Sequence, residues 1–198
     1  MGKISLTYRF LKKYKIIVNE KYSNISLIGA IIHIFRKILV LLVYKYSYSS
    51  TFLEPLNLKI IRAKCWQFIG CKINKNVIIG RYVDFDYGNS NLITLEDNVI
   101  ITNGCTLLCH KRDLANYNIN DDGQELPYIY NEIILKKGCQ IGINSTIMPG
   151  VTIGEGAIVG ACSLVAKDIP AWSIAVGNPA KVVKYIKNKE DENIANNQ

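Results

Sequence analysis

Residues 135–170 read LKKGCQ-IGINST-IMPGVT-IGEGAI-VGACSL-VAKDIP, a stretch that repeats every six residues. The first place of each six is always aliphatic, the fifth is mostly small, and glycine takes the second place at Gly142, Gly154 and Gly160. Helices repeat every ~3.6 residues and strands every two, so neither period explains the pattern. A chain that turns a corner after each short strand does explain it, because three strands then close a triangular coil of about 18 residues. The stretch predicts a parallel β-helix with both apolar places inside and glycines that relax tight turns.

The six-residue pattern extends beyond this stretch with two interruptions. It begins weakly at Ile73, breaks over residues 91–94, and is interrupted again by a polar, Asn- and Asp-rich stretch. Because the repeat returns in phase, the second interruption predicts a protruding loop, an insertion over residues 110–128, and such loops are commonly functional. The sequence AKVVKYIKNK, which begins at Ala180, predicts a short C-terminal helix. We therefore expect three parts: a basic helical segment over 1–72, a β-helix domain over 73–187, and a polar tail over 188–198.

The net charge of +8 is concentrated in the N-terminal part of the chain. Residues 1–76 hold 14 Lys and Arg against two acidic residues, whereas residues 77–198 hold 10 basic residues against 14 acidic ones. The repeat region is therefore acidic, and no motif typical of RNA or DNA binding is visible. The pattern excludes nucleic acid as an expected partner.

A long apolar stretch, ISLIGAIIHIFRKILVLLV, fills residues 25–43. It is long enough to span a membrane, but Arg36 and Lys37 near its middle would each oppose insertion by about 2.5–3.5 kcal/mol. One interpretation is a helix in the interface of an anionic membrane, and the other is a helix packed across the end of the β-helix or between subunits. Both stay open. His33 has no acidic neighbour in sequence and is expected to be structural.

The six cysteines do not form a metal or disulfide pattern. They include no C-x-x-C pair, and with two histidines in the chain we expect no metal site. Cys105 and Cys139 take the small fifth place of their repeats, which predicts buried, unreactive thiols. The N-terminus lacks the pattern of a secretory signal, so we expect a cytoplasmic protein, in contact with the inner membrane face if the apolar helix binds lipid.

Residues 153–181, IGEGAIVGACSLVAKDIPAWSIAVGNPAK, resemble the end of the bacterial hexapeptide-repeat acyltransferases. The likeness covers roughly residues 73–184, and its PGVTIG and KDIP…GNPAK signatures are specific. The family resemblance implies a left-handed parallel β-helix, a homotrimer and acetyl-CoA as acyl donor. The left hand comes from the resemblance alone, because parallel crossovers are otherwise right-handed.

His110 stands where the repeat departs into the inserted loop, as does the catalytic histidine of the family. Acetyl transfer to a hydroxyl needs a base, and an imidazole with an ordinary pKa of ~6.5 is suited to that task. The resemblance therefore implies that His110 is the general base and that transfer is direct, within a ternary complex. A Cys109–His110 nucleophile pair is the alternative, but successive residues of an extended segment point to opposite faces.

Three carboxylates are candidates for contact with the acceptor or with the histidine. Asp84 and Asp86 lie in VDFDYGN, where sugar acetyltransferases of the family often carry Asn-Phe-Asn against the acceptor. The carboxylates here could accept hydrogen bonds from sugar hydroxyls or orient the histidine. Asp113 is a third candidate for the orienting role.

The resemblance also implies the residues that bind acetyl-CoA. The backbone near Gly142 and Ala161 would meet the pantetheine arm, while Lys167 and Lys184 would face phosphate groups. Two departures from the family pattern are Ala166 in place of a common Thr and Cys162 in place of a common Gly. The full predicted set is Gly142, Ile143, Ala161, Ala166, Lys167 and Lys184.

The sequence thus predicts an acetyl-CoA-dependent O-acetyltransferase that acts on a sugar or surface-polysaccharide precursor. A serine acetyltransferase-like enzyme is one alternative, although its acceptor motifs are not evident. A β-helix that serves only as a scaffold is another, and it would have no need of His110. A β-helical carbonic anhydrase needs three histidine ligands for zinc, which two histidines cannot supply within one subunit.

Overall fold

The computed structural model describes residues 5–14, 22–48 and 59–187, in which three helices precede fifteen short strands. By its contacts the chain divides into two compact units, residues 1–43 and residues 44–198. The helices are α1 (Leu6–Lys13), α2 (Leu27–Tyr48) and α3 (Lys59–Ile69). The strands are β1 (Lys72–Ile73), β2 (Ile78–Ile79), β3 (Ile93–Leu95), β4 (Ile100–Ile101), β5 (Thr106–Leu107), β6 (His110–Arg112), β7 (Tyr128–Tyr130), β8 (Ile133–Leu135), β9 (Gln140–Ile141), β10 (Thr146–Ile147), β11 (Thr152–Ile153), β12 (Ile158–Val159), β13 (Leu164–Val165), β14 (Ser173–Gly177) and β15 (Ala180–Tyr185).

Three parallel sheets form the faces of a β-helix. The first face is β1-β3-β8-β11, the second is β2-β4-β9-β12-β14, and the third is β5-β10-β13. Gln140 pairs with Ile158 and Thr146 with Leu164, so each residue lies beside its equivalent in the third repeat after its own. A coil made of three successive repeats is therefore confirmed.

The interior is filled by the two apolar places of the repeat. All twelve first- and fifth-place residues of 135–170 are buried, and none is more than 5% exposed. The prediction that the second-place glycines relax tight turns is wrong, because the backbone is not left-handed at Gly142, Gly154 or Gly160. A Cβ at Gly142 would instead lie 2.5 Å from the backbone nitrogen of Ala161 in the next coil. These glycines are required because neighbouring coils approach too closely for a side chain.

Two insertions account for the breaks in the repeat. Lys72 pairs with Thr94, not with Ser90 as an uninterrupted repeat would require, because a short 3-10 turn at Ser90–Leu92 lengthens the coil. Ile100 pairs with Gln140, where an uninterrupted repeat would pair it with Asn118, so the chain leaves the coil and rejoins it before β8. The inserted residues form an antiparallel hairpin built from β6 and β7. We call residues 110–130 the arm.

The predicted C-terminal helix is wrong. Residues 180–185 form β15, which runs antiparallel to β14 and hydrogen-bonds along its edge. Two valines and a tyrosine in this stretch favour a strand, and the open edge of β14 offers backbone partners that an isolated helix would lack. The predicted polar tail, 188–198, lies outside the described residues.

Residues before the first strand belong to the core of the β-helix unit. Trp66 of α3 is fully buried, with its ring 4.7 Å from that of Phe85. The buried Arg62 donates from Nε to the carbonyl oxygen of Ile79 at 2.8 Å, and Tyr44 packs edge-on against Trp66. The division of the chain at residue 43 thus differs from the predicted boundary at 72, because α3 closes the apolar end of the coil.

The N-terminal unit has a small core of its own. Ser5 caps α1 by accepting a hydrogen bond from the backbone of Tyr8, and Tyr8 and Leu11 pack with Ala30 of α2. The ring of His33 lies 4.6 Å from that of Tyr22, and burial lowers its pKa. Helix α2 is long and apolar enough to cross a membrane by length and composition, and 6% of the residues in its apolar 18-residue window are buried.

Candidate active site

His110 begins the arm directly after the third face, and its imidazole is fixed by Asp86. The Nδ1 atom lies 2.6 Å from Oδ2 of Asp86. An ionised carboxylate only accepts hydrogen bonds, so in the neutral ring this contact assigns the proton to Nδ1 and the lone pair to Nε2. Within the described residues the structure gives Nε2 no hydrogen bond, and the side chain is 35% exposed. The arrangement leaves an unprotonated nitrogen open to a bound substrate.

Asp86 is held in a constrained position. Its side chain is almost fully buried, and its backbone has φ 42°, in the left-handed region that non-glycine residues seldom adopt. The carboxylate accepts hydrogen bonds from the backbone of Cys109 at 2.8 Å and from the Asn89 amide at 3.1 Å. Strained backbone persists where its surroundings over-determine it, and such sites are often functional.

Cys109 is unsuited to act as a nucleophile. Its side chain is fully buried in the coil interior, on the opposite side of the strand from the His110 ring. Burial, and secondarily the Asp86 carboxylate, raise the pKa of its thiol to about 12. The thiolate that covalent catalysis requires is therefore scarce at neutral pH. Cys105 and Cys139 are also fully buried, and burial raises the pKa of both thiols.

Two tyrosines from the returning strand of the arm flank the histidine. The ring of Tyr128 stands edge-on to that of His110 at 5.3 Å, and the ring of Tyr130 lies 6.1 Å away. Arg112 lies on the same face, with its guanidinium 4.0 Å from the centre of the Tyr128 ring. The histidine thus stands at the foot of a partly exposed aromatic surface.

Asp84 lies one coil before the histidine, next to the third face. Burial, followed by the charge of Asp86, raises the pKa of its carboxyl, and a hydrogen bond from the Tyr44 hydroxyl partly opposes the shift. Its Oδ1 atom is buried and has no hydrogen-bond partner among the described residues. One oxygen of this carboxyl group therefore lies in the interior without a partner, an environment that disfavours the charged form.

Among the described residues, the Asp113 carboxylate takes no part in the hydrogen bonds around His110. Its carboxylate accepts from the backbone of Ala115 at 3.0 Å and shapes a turn in the arm. Of the three predicted carboxylates, the structure thus pairs Asp86 with the histidine, not Asp113.

The residues predicted to bind acetyl-CoA do not all meet within one protomer. Gly142, Ile143 and Ala161 lie where the chain turns from the second face to the third, which we call the glycine corner. Ala166 and Lys167 lie where it turns from the third face to the first, two coils beyond His110, which we call the histidine corner. The third face separates the two groups.

Two cavities adjoin the predicted cofactor residues. Ile143 is about half exposed and lines a cavity of about 340 Å³ with apolar residues of the second face, among them Ile78 and Ile100. Lys184 stands on β15 and lines a cavity of about 440 Å³ with Ile174, Ile186 and Lys187. An apolar slot and a pair of exposed cations are the surroundings that a pantetheine arm and phosphate groups need.

Sequence reasoning missed Asn89, Tyr44 and the two tyrosines of the arm. Asn89 stands three residues after Asp86 in DYGN, where an Asx-type turn would have drawn attention to it. The tyrosines alternate as YIY before the repeat resumes, which is the pattern of a strand with an aromatic face. Across residues 5–14, 22–48 and 59–187, no three His, Cys, Asp or Glu side chains converge as metal ligands.

Comparison with known proteins places the chain among hexapeptide transferases. The family model described as bacterial transferase hexapeptide (six repeats) matches residues 132–167. YvoF of Bacillus subtilis, which is provisionally named an acetyltransferase, is 31% identical over 127 residues, or 64% of this chain and 67% of YvoF. The dTDP-3-amino-3,6-dideoxy-alpha-D-galactopyranose 3-N-acetyltransferase of Aneurinibacillus thermoaerophilus is 48% identical over 60 residues, which cover 30% of this chain and 31% of that enzyme.

Solved structures show the same fold. A variant of AntD, an N-acyltransferase from Bacillus cereus in complex with dTDP and coenzyme A, has a TM-score of 0.50 at 28% identity, covering 63% of this chain and 77% of AntD. A galactoside acetyltransferase in complex with coenzyme A has a TM-score of 0.55 at 22% identity, covering 80% of this chain and 84% of that chain. At that identity the second likeness is one of fold.

Proposed function

Because the chain belongs to the family of bacterial hexapeptide-repeat transferases, we propose that it is an acetyl-CoA-dependent O-acetyltransferase. Its acceptor would be a hydroxyl group of a sugar or surface-polysaccharide precursor. The observation that carries this proposal is the pair of His110 and Asp86, which leaves Nε2 as an oriented base. A β-helix that served only as a scaffold would have no use for such a pair.

In the proposed mechanism His110 moves one proton twice. Its Nε2 takes the proton of the acceptor hydroxyl as that oxygen attacks the thioester carbonyl carbon. Asp86 stabilises the imidazolium that forms, through the bond to Nδ1. The tetrahedral intermediate then collapses with cleavage of the carbon–sulfur bond, and the imidazolium returns the proton to the departing thiolate. General base catalysis of this kind contributes about 10²- to 10⁴-fold to the rate.

The proposal extends to a homotrimer and a left-handed coil, both of which the family resemblance implies. The division of the cofactor residues between two corners supports an acetyl-CoA cleft that a neighbouring copy completes. Sedimentation equilibrium of the full chain should then give three times the 22.3 kDa of one protomer. A monomer at assay concentration that is fully active would contradict the shared cleft.

An N-acetyltransferase acting on an amino sugar is the second candidate. It is favoured by the relative named as a dTDP-amino-sugar N-acetyltransferase and by the likeness to AntD. A neutral amine attacks through its nitrogen lone pair before it loses a proton, whereas a hydroxyl becomes an adequate nucleophile only as a base removes its proton. The His110–Asp86 pair therefore supports the hydroxyl acceptor.

Product chemistry separates these candidates. Each hexose is offered with acetyl-CoA both as the ordinary sugar and as its amino derivative, with L-serine as a further acceptor. We expect acetylated sugar whose acetyl group hydroxylamine removes, since esters are cleaved and amides are not. A hydroxylamine-resistant product from amino sugars alone would replace O-transfer with N-transfer, and exclusive acetylation of serine would replace the sugar.

We also propose that the enzyme works at the inner face of the cell membrane, attached through α2. The large apolar side chains of Ile31, Phe35 and Leu42 project from one side of this helix and are 58–66% exposed. Arg36 and Lys37 fall on the other side when the helix is projected at ~3.6 residues per turn. This separation favours a helix that lies in the interface, where its apolar side enters the lipid and electrostatic attraction adds to the binding.

Vesicle sedimentation of the full chain tests the attachment. A variant with Ile31, Phe35 and Ile38 changed to Ser is compared with Ile119→Ser, which alters an exposed apolar residue of the arm. The triple variant should lose binding to anionic vesicles. Wild type and Ile119→Ser should both bind, and their binding should weaken as the salt concentration rises. If wild type does not bind vesicles at low salt, or if the triple variant no longer forms a trimer, then α2 packs against protein and not against lipid.

A further inference from the structure

The inner face of the arm carries four side chains, of which the proposed mechanism uses only His110. His110 pairs with Tyr130 across the hairpin, and Arg112 pairs with Tyr128. Since side chains alternate along a strand, all four project from the same face. The neighbouring Lys111 projects from the other face and is exposed. The base therefore continues into a surface of two tyrosines and one arginine.

Arg112 is a cation fixed at a short distance from the base. Its guanidinium stacks on the Tyr128 ring at 4.0 Å and also donates to the carbonyl oxygen of Leu126. Within the described residues the structure gives it no carboxylate partner, so its charge is not neutralised there. The Tyr128 ring also lies 5.3 Å from the His110 ring. The guanidinium of Arg112 and the imidazole of His110 are therefore both neighbours of the same tyrosine ring.

We propose that this surface binds an acceptor that carries a phosphate group beside the sugar ring to be acetylated. The phosphate would pair with the planar fork of Arg112, whose geometry matches phosphate oxygens. The sugar ring would rest against Tyr128 and Tyr130, with its hydroxyl at Nε2 of His110. This inference rests on the proposed acetyl transfer to a sugar and narrows its acceptor to phosphorylated saccharides, which include sugar phosphates, nucleotide sugars and lipid-linked sugars.

Arg112 holds its position without a ligand, which distinguishes it from a flexible surface cation. The stacked ring and the hydrogen bond to the backbone restrict its rotamers, so little side-chain entropy is lost when an anion binds. A purely structural arginine would hold the arm together and would affect all acceptors alike. A binding arginine discriminates between charged and neutral acceptors of the same sugar.

The test compares matched acceptors with the full chain at saturating acetyl-CoA. Each hexose that wild type acetylates is offered as the free sugar, as its 1-phosphate and as its nucleoside diphosphate derivative. We expect wild type to favour one or both phosphorylated forms in kcat/KM. Arg112→Gln should lower kcat/KM for those forms, mainly through KM, by about tenfold to a hundredfold more than it lowers kcat/KM for the free sugar.

Two further variants keep the result interpretable. Arg112→Lys retains the charge and should preserve part of the preference, whereas Lys111→Gln removes a charge from the outer face and should change nothing. Wild type without preference for phosphorylated forms, or equal losses for free and phosphorylated sugar in Arg112→Gln, would overturn the inference. If His110→Ala abolishes transfer while either result is found, the phosphate site fails and the proposed acetyl transfer stands. If His110→Ala stays active, the proposed role of His110 as the base fails.

Discussion

Replacement of Asp86 by Asn is the sharpest perturbation of the site, because it alters one charge and almost no volume. The Asp86 carboxylate accepts from His110 Nδ1 at 2.6 Å and from the backbone of Cys109 at 2.8 Å. In Asp86→Asn the amide oxygen can still accept from one of these donors. Asn also tolerates the left-handed backbone that this position has. The fold should therefore survive, while the charge that steadies the imidazolium is lost.

The magnitude follows from the bond that the variant weakens. Hydrogen bonds to charged groups contribute about 1.5–3 kcal/mol, and each ~1.4 kcal/mol in the activation free energy is a factor of ten in rate. We expect kcat to fall roughly tenfold to a hundredfold. Asp86 touches the base and not the donor, so the KM for acetyl-CoA should stay near that of wild type. Loss of one charge-assisted bond in a buried network should also lower the free energy of unfolding by about 1–2 kcal/mol.

The assay is steady-state release of coenzyme A, with thermal unfolding measured on the same samples. Asp113→Asn is the matched control, since its carboxylate bonds to Ala115 within the arm and should leave kcat almost unchanged. Activity within twofold of wild type in Asp86→Asn would refute the reasoning. So would an equal loss in Asp113→Asn, which would return the orienting role to that residue.

Three other changes have defined outcomes. Gly142→Ala places a Cβ 2.5 Å from the backbone of Ala161 and should lower the free energy of unfolding, measured by urea titration, by about 1–3 kcal/mol. The control Gly88→Ala has open space around the new Cβ and should change that free energy by under ~0.5 kcal/mol. Equal effects of the two variants would contradict the close packing of neighbouring coils. Burial raises the pKa of Asp84, so wild type should lose stability relative to Asp84→Asn as pH rises from about 4 through that raised pKa. Urea titrations of both proteins at pH 4 and pH 7 measure the difference between their free energies of unfolding. A difference that is the same at both pH values would contradict the raised pKa. Cys109→Ala should keep most of its activity, and inactivity together with an acetylated cysteine peptide trapped in wild type would establish the covalent route.

The coil could be predicted from the sequence because its period is encoded in every repeat. Each first-place residue such as Ile141 faces the interior, and the burial of all of them follows from that single regularity. The role of Gly142 could not be deduced in the same way, since it depends on how closely the next coil approaches. The strand at residues 180–185 was missed for a similar reason: its partner is the edge of β14, a tertiary feature.

The sequence could predict the histidine of the site and three candidate carboxylates, but not the arrangement of these groups. With two histidines in the chain, His110 stood out by its place at the insertion, and the resemblance of VDFDYGN to the Asn-Phe-Asn stretch of the family suggested carboxylates near it. Which carboxylate meets the ring depends on the stacking of coils, and the structure brings Asp86 to it. The aromatic surface of Tyr128 and Tyr130 depends on the register of the arm, which follows from hydrogen bonds between residues far apart in sequence. The catalytic and binding roles stay predictions.

The measurement that tests the central claim most directly is the turnover of His110→Ala with acetyl-CoA and an acceptor sugar that wild type acetylates. The account predicts a fall in kcat of about 100-fold or more, with the thermal unfolding curve and the oligomeric mass of wild type retained. A correctly folded His110→Ala protein that acetylates the sugar at close to the wild-type rate would contradict it and leave the paired imidazole without a role in the chemistry.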